Sequence, residues 1–207
     1  HFWKEKAGDF FKTALAVLER RRDSEESVKF IARYLADGLQ RYDAAIDALV
    51  AAHRRGILGE EGRAQLVTYL QGQGRHAESL ALLEGPGGMI EKWPDNVDYR
   101  AFLIIGCHGA GRQEDAAAAR AGADAHFRAD NRWNEHAAAQ LASACMTAQL
   151  FEHAAGYYTE AMTFRRTANP LRRGGDGRLS DYYRSQAEAY VRLGRTAEAV
   201  EAAAGAI

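Results

Sequence analysis

The sequence predicts an all-α fold: an α-solenoid of antiparallel helix pairs, about eleven helices in all. Three observations point there. The first is the stretch Ala187-Glu188-Ala189-Tyr190-Val191-Arg192-Leu193-Gly194-Arg195-Thr196-Ala197-Glu198-Ala199-Val200. Apolar residues three or four apart run into Leu193-Gly194, and a second helical pattern restarts at once. This reads as a helix, a tight turn and an antiparallel helix. The second observation is that weaker copies of this unit recur upstream. The third is composition. Apolar residues make up 47% of the 207 residues, alanine occurs in runs such as Ala116-Ala117-Ala118-Ala119, and there are only three prolines. Alanine is the best helix former, and its small side chain lets helices approach closely. No stretch reads as a strand.

Taken in order, Phe2 to Arg22 reads as a helix with Trp3, Ala7, Phe10, Phe11, Ala14, Leu15 and Leu18 on one stripe. That stripe is a packing face, so residues 1–25 are expected to form an N-terminal helix packing on the array. Arg20-Arg21-Arg22 lies at its C-terminal end, where positive charge suits the helix dipole. Asp23-Ser24 supplies an N-cap for the next helix, which carries Val28, Ile31, Tyr34 and Leu35 and ends at Gly38. A third helix runs from Arg41-Tyr42 towards Gly56, a fourth from Glu60 to Gln73, and a fifth from His76 to Leu83. The run Gly85-Pro86-Gly87-Gly88 breaks the chain there, removing a helical hydrogen bond and adding backbone freedom. Met89 to Trp93 adds a turn before Pro94. Val97 to Gly109, Gln113 to Phe127, Trp133 to Ala148 and Phe151 to Arg165 follow. A loop from Thr167 to Arg178 comes next, and Ser180 is expected to cap the last pair, Asp181 to Leu193 and Thr196 to Ile207.

The copies align on a small residue near the start of each second helix. Those residues are Ala45, Ser79, Ala116, Ala154 and Ala199, at spacings of 34, 37, 38 and 45. Gly74, Gly111 and Gly194 fall at the turn between helices. Tyr42 and Phe151 fill an aromatic position just after it, where Thr196 departs. Leu103, Leu141 and Tyr190 are the large packed residues of first helices, Tyr157, Tyr158 and Ala161 match second-helix positions, and Pro94 ends a repeat. This pattern resembles the tetratricopeptide repeat (TPR), over residues 26–207 and about five helix pairs. It departs from that repeat where a large residue belongs early in the first helix, which appears only as Tyr183. It departs again at Ile104, which stands where Ala142 and Ala187 supply the small residue.

The resemblance implies a right-handed superhelix whose first helices line a concave face, and a protein–protein interaction scaffold. On that face it places Tyr34, Gln71, Asp98, Ile105, His108, Gln140, Ser143, Arg184, Glu188 and Arg192. Some members of the family clamp a peptide carboxylate with lysine, asparagine and arginine. No lysine or asparagine stands at these positions. The partner implied is a peptide, a helix or a neighbouring domain of the same polypeptide. The alternative is a regulatory or sensor segment of a multidomain enzyme whose catalytic domain lies outside this chain. Both ends read as cuts through a longer polypeptide, so the array is expected to continue beyond them.

Chemistry-bearing residues are sparse. Lys+Arg is 27 and Asp+Glu is 28, a net charge of −1 that gives no global attraction to nucleic acid or an anionic membrane. No stretch is apolar enough to span a membrane, and a cytoplasmic location is expected. Cys107 and Cys145 are too few for a disulfide framework, and they occupy matching first-helix positions that suit core packing. None of the seven histidines pairs with another at the i, i+4 spacing of a helical zinc site. No cofactor, no metal and no catalytic constellation are expected. The loop is the unusual feature, because Arg165, Arg166, Arg172, Arg173 and Arg178 cluster around its glycines. A solvated insertion, a surface for an acidic partner and a nucleic-acid contact are the three readings, taken in that order.

Overall fold

The computed structural model describes residues 24–129, 131–168 and 176–206. The Phe2 to Arg22 helix, Arg172, Arg173 and Ile207 lie outside the described residues. Among the described residues every regular element is helical and none is a strand. The chain divides into two compact units, His1–Leu82 and Leu83–Ile207. The first contains α1 (Glu25–Arg33), a π-helical turn (Tyr34–Gly38), α2 (Tyr42–Arg54), α3 (Glu60–Gly72) and most of α4 (His76–Glu84). The second holds α5 (Met89–Lys92), α6 (Val97–Gly109), α7 (Gln113–Ala129), α8 (Glu135–Thr147), α9 (Phe151–Ala168), α10 (Gly177–Arg192) and α11 (Thr196–Gly205).

The pairs repeat in backbone geometry as well as in sequence. Each first helix ends at a residue in the left-handed region: Gln40 (φ 57°), Gly74 (71°), Gly111 (76°), Gln149 (59°) and Gly194 (73°). The next residue's N–H then reaches back to a carbonyl one turn inside the helix. Arg75 bonds Leu70, Arg112 bonds Cys107, Leu150 bonds Cys145 and Arg195 bonds Tyr190, at 2.8 to 2.9 Å. This satisfies carbonyls that a helix end leaves open. Arg41 makes the same bond to Leu35 at 2.7 Å with one residue more between them, and the π turn absorbs that residue. The second helix opens with a bond from the small residue back to this same turn residue, as in Ser79 to Arg75 and Ala199 to Arg195. Ala45, Ser79, Ala116, Ala154 and Ala199 are all buried, as close helix approach requires.

The cores follow from the apolar stripes. In the first unit Val28, Ala32 and Ala36 meet Ala45, Ile46, Leu49 and Ala52 of α2 and Leu66 and Leu70 of α3. In the second unit Ile104, Leu141, Ala142 and Cys145 pack with Phe127, Ala154, Tyr157, Tyr158 and Ala189. Burying each Leu or Ile contributes about 1.5–3 kcal/mol, and the alanines hold backbones close enough for that burial to be complete. Leu103, expected inward, is only half-buried, whereas its neighbour Ile104 is fully buried. Successive helical residues point about 100° apart, so the branched side chain in the small slot takes the interior.

The last connection differs from the sequence expectation. α9 continues to Ala168, and α10 begins at Gly177, so Thr167 and Arg178 are helical. Ser180 is not the cap: Asp176 is, its side chain accepting the Arg178 N–H, while the Ser180 N–H makes an ordinary helical bond to the Asp176 carbonyl at 3.1 Å. A carboxylate at the N-cap satisfies an orphan donor and suits the positive end of the dipole.

Candidate partner-binding site

The three first helices of the second unit can be put in one register by counting back from their turn residues, Gly111, Gln149 and Gly194. Three places back stand His108, Met146 and Val191. Six back stand Ile105, Ser143 and Glu188, ten back Ala101, Ala139 and Arg184, and thirteen back Asp98, His136 and Asp181. Steps of three and four keep these on one face of each helix. Between α6 and α8 the register is physical, because residues of equal rank meet. His136 Nε2 of α8 lies 3.9 Å from Asp98 Oδ1 of α6. Between α8 and α10 the contact is offset: the Tyr182 hydroxyl, twelve places back, donates to Glu135 Oε1, fourteen places back, at 3.1 Å.

This face is open. Ser143, Arg184, Glu188 and Arg192 are exposed, and Val191 is 64% exposed. Two of its ion pairs lie within one helix: Arg184 to Asp181 at 3.1 Å and Arg192 to Glu188 at 3.5 Å. Such exposed pairs contribute at most about 0.5 kcal/mol, so either partner can be surrendered to a ligand. His108 Nδ1 lies 2.9 Å from Gln113 Oε1. Asp98 carries the N-cap bond from its own N–H to Asn96 Oδ1.

Asp98, Ile105, His108, Ser143, Arg184 and Glu188 therefore share the row, with Arg192 at its edge. Gln140 falls nine places back, in the rank of Ser185, which hydrogen-bonds the Tyr158 hydroxyl of α9. Its rank therefore borders the preceding second helix. His136, Asp181 and Val191 belong to the row and were not picked out by helical spacing alone. Counting back from the turn residue is the signal that finds them. Tyr34 and Gln71 are in the first unit. Gln71 Nε2 donates to Ser79 Oγ of α4 at 3.0 Å, and the Tyr34 ring lies against Gly38.

Two of the arginines around the loop are engaged with neighbouring helices. Arg165 donates to Asp176 at 2.7 and 3.2 Å and lies 3.6 Å from Glu135. That guanidinium holds the Asp176 carboxyl below its usual range, and burial, with Glu135 beside it, pushes the Tyr182 hydroxyl up to about 12. Arg165, Asp176, Glu135 and Tyr182 thus tie α8, α9 and α10 together. Arg166 sits 5.4 Å from the centre of the Tyr183 ring, a cation–π distance. Arg178 is exposed in the first turn of α10.

Cys107 and Cys145 are completely buried. Burial raises both thiols, Cys145 to about 12, which suppresses the thiolate that a nucleophile or metal ligand needs. Among the described residues no group of three or more His, Cys, Asp or Glu side chains could hold a metal ion, and no helix is long and apolar enough to cross a membrane.

The stacked pairs make this an all-α helical-repeat protein of TPR-like build. Two solved structures of MamA are similar to it. The one designated MSR-1 is 18% identical, covers 88% of this chain and 94% of its own, and superposes with a TM-score of 0.48. The AMB-1 structure is 18% identical, covers 88% and 89%, and gives 0.47. A likeness this distant carries no function across. No family model matches the sequence, and no curated protein does.

Proposed function

We propose that this chain is a protein–protein interaction scaffold, and that its second unit binds a peptide or a helix along the row formed by α6, α8 and α10. The observation that supports this reading is the open face itself. Val191 and Met146 stand at one rank and Ile105 at the next, Val191 exposed and the other two half-buried, and Asp98, His136, Arg184, Glu188 and Arg192 supply charge of both signs beside them. A mixed strip of this kind suits an amphipathic segment: apolar anchors give affinity, and flanking charges give register. A neighbouring domain of the same polypeptide that presents such a segment meets the same chemistry.

The test is a selection of random peptides on the intact chain, followed by affinity measurements on two variants. Met146→Glu/Val191→Glu buries like charge where apolar anchors belong, and should weaken selected peptides at least about tenfold. Glu114→Lys, on α7 and off the row, should leave them unchanged. Peptides that bind both variants equally well would remove the row from the site.

A further inference from the structure

The outer face of α10 carries its charges in alternation. Asp181, Arg184, Glu188 and Arg192 stand at steps of three, four and four, all of them exposed, with Val191 beside them. Those steps keep the four on one side of the helix. The other side is the buried one, where Gln186 and Ala189 turn inward and Gln186 reaches the Ala155 carbonyl of α9.

The alternation belongs to α10 and not to the packing of the pairs. At the same ranks α6 carries Asp98, Ala101, Ile105 and Gly109, and α8 carries His136, Ala139, Ser143 and Thr147. Read from either end, the order of signs on α10 is reversed: minus, plus, minus, plus becomes plus, minus, plus, minus. An antiparallel copy of the helix laid on this face therefore sets Asp181 opposite Arg192 and Arg184 opposite Glu188, and a two-fold axis makes each pair twice. Both pairs are centred at Gln186 or between it and Ala187, so one crossing serves them all. A parallel copy in register would set like charge on like, so the sequence also specifies direction.

We infer that this face is a self-association surface, on which a second copy of the chain lays its own α10 antiparallel. The residues flanking the crossing point, Ser185 and Ala187, are small, which lets two helices approach. The pairs within α10 do not stand in the way. Arg184 uses Nη1 on Asp181 and Arg192 uses Nη2 on Glu188, and a guanidinium has five N–H donors, enough for a second carboxylate. From Asp181 to Arg192 the helix runs roughly 17 Å, a short contact built largely of charge. The dimer is accordingly a weak one, favoured by high protein concentration and low salt. It does not require that the row bind a peptide, although a peptide along the row would compete for Arg184 and Glu188.

Sedimentation of the full chain in low salt tests this. The parent should show a monomer–dimer equilibrium that moves towards monomer as salt is raised. Arg184→Glu and Glu188→Arg should each weaken the dimer at least about tenfold, because like charges then meet at the crossing. Both positions are exposed, so the circular dichroism of each variant should match the parent's. Mixed one to one, the two variants should associate again, each supplying the charge that the other's crossing lacks. A parent that stays monomeric up to about 1 mM overturns the proposal. So does a dimer that neither substitution weakens, and so does a mixture that associates no better than the variants apart.

Discussion

Gln186 of α10 donates a buried hydrogen bond to the carbonyl of Ala155 on α9, 3.1 Å away, and its side chain is 6% exposed. This bond joins one helix pair to the next at a position where the neighbouring pairs carry Leu66, Leu103 and Leu141. The Thr159 hydroxyl keeps its own bond to the same carbonyl at 3.1 Å. Gln186→Ala removes the bond and leaves a cavity, and should cost about 1–3 kcal/mol by urea unfolding. Gln186→Leu restores the side chain of the other pairs, strands no acceptor, and should fall within about 1 kcal/mol of the parent.

The turn residues differ in chemistry at one conformation. A Cβ at Gly194 or Gly111 meets nothing within 4 Å, so alanine there is opposed by the left-handed backbone alone. Gly194→Ala should lower the unfolding free energy by about 1 kcal/mol. Gln149 already carries that strain at φ 59°, so Gln149→Gly should raise stability by a few tenths to about 1 kcal/mol. The two changes should move the urea midpoint in opposite directions.

Asp176 is tied to Arg165 and caps α10. Its carboxyl is depressed below the ordinary 3.8, first by the hydrogen bond from Arg165. A group whose folded pKa is lowered stabilises the fold above its unfolded pKa, and that contribution disappears as pH falls through the folded value. Asp176→Asn keeps an N-cap acceptor and loses the charge. Its thermal midpoint should lie below the parent's at pH 7, and the gap should close as pH drops below about 3.8. A gap that persists at pH 2 would mean that the side chain acts by shape alone.

Both thiols should be silent in the native chain. Cys107 and Cys145 are fully buried, and Cys145 is pushed up to about 12. An aromatic disulfide reagent at pH 8 should titrate neither thiol until denaturant is added, and then both. Reaction of Cys145 before unfolding would contradict the packing of α8 against α9.

Much of the fold was legible because the pairs are punctuated by residues with one mechanical role. Val97–Gly109 was bounded correctly since Asn96 caps it and Gly111 turns the chain. Gln40 and Gln149 take the same left-handed turn without glycine, so composition alone hides two of the five turns. The π turn at Tyr34–Gly38 was hidden as well. It follows from one surplus residue between Leu35 and Arg41, which only the bond across the turn reveals. The cap at Asp176 was obscured by its glycine-rich surroundings and by its dependence on Arg165, eleven residues away on another helix. The resemblance to the tetratricopeptide repeat was what set Asp98, Ile105, His108, Ser143, Arg184 and Glu188 on one expected face. Val191 and His136 needed the turn as origin, and counting from it sets Gln140 one place beside the row.

Two valines of equal exposure offer the most direct measurement. Val191 (64%) stands in the row of first helices and Val200 (65%) stands on α11. A photoreactive phenylalanine placed at either position, in the intact chain with a peptide selected on the parent, samples the two surfaces under the same conditions. A scaffold that binds along α6, α8 and α10 predicts peptide crosslinks at 191, lost with excess unlabelled peptide, and none at 200. Specific crosslinks at 200 with none at 191 would contradict the proposed binding face.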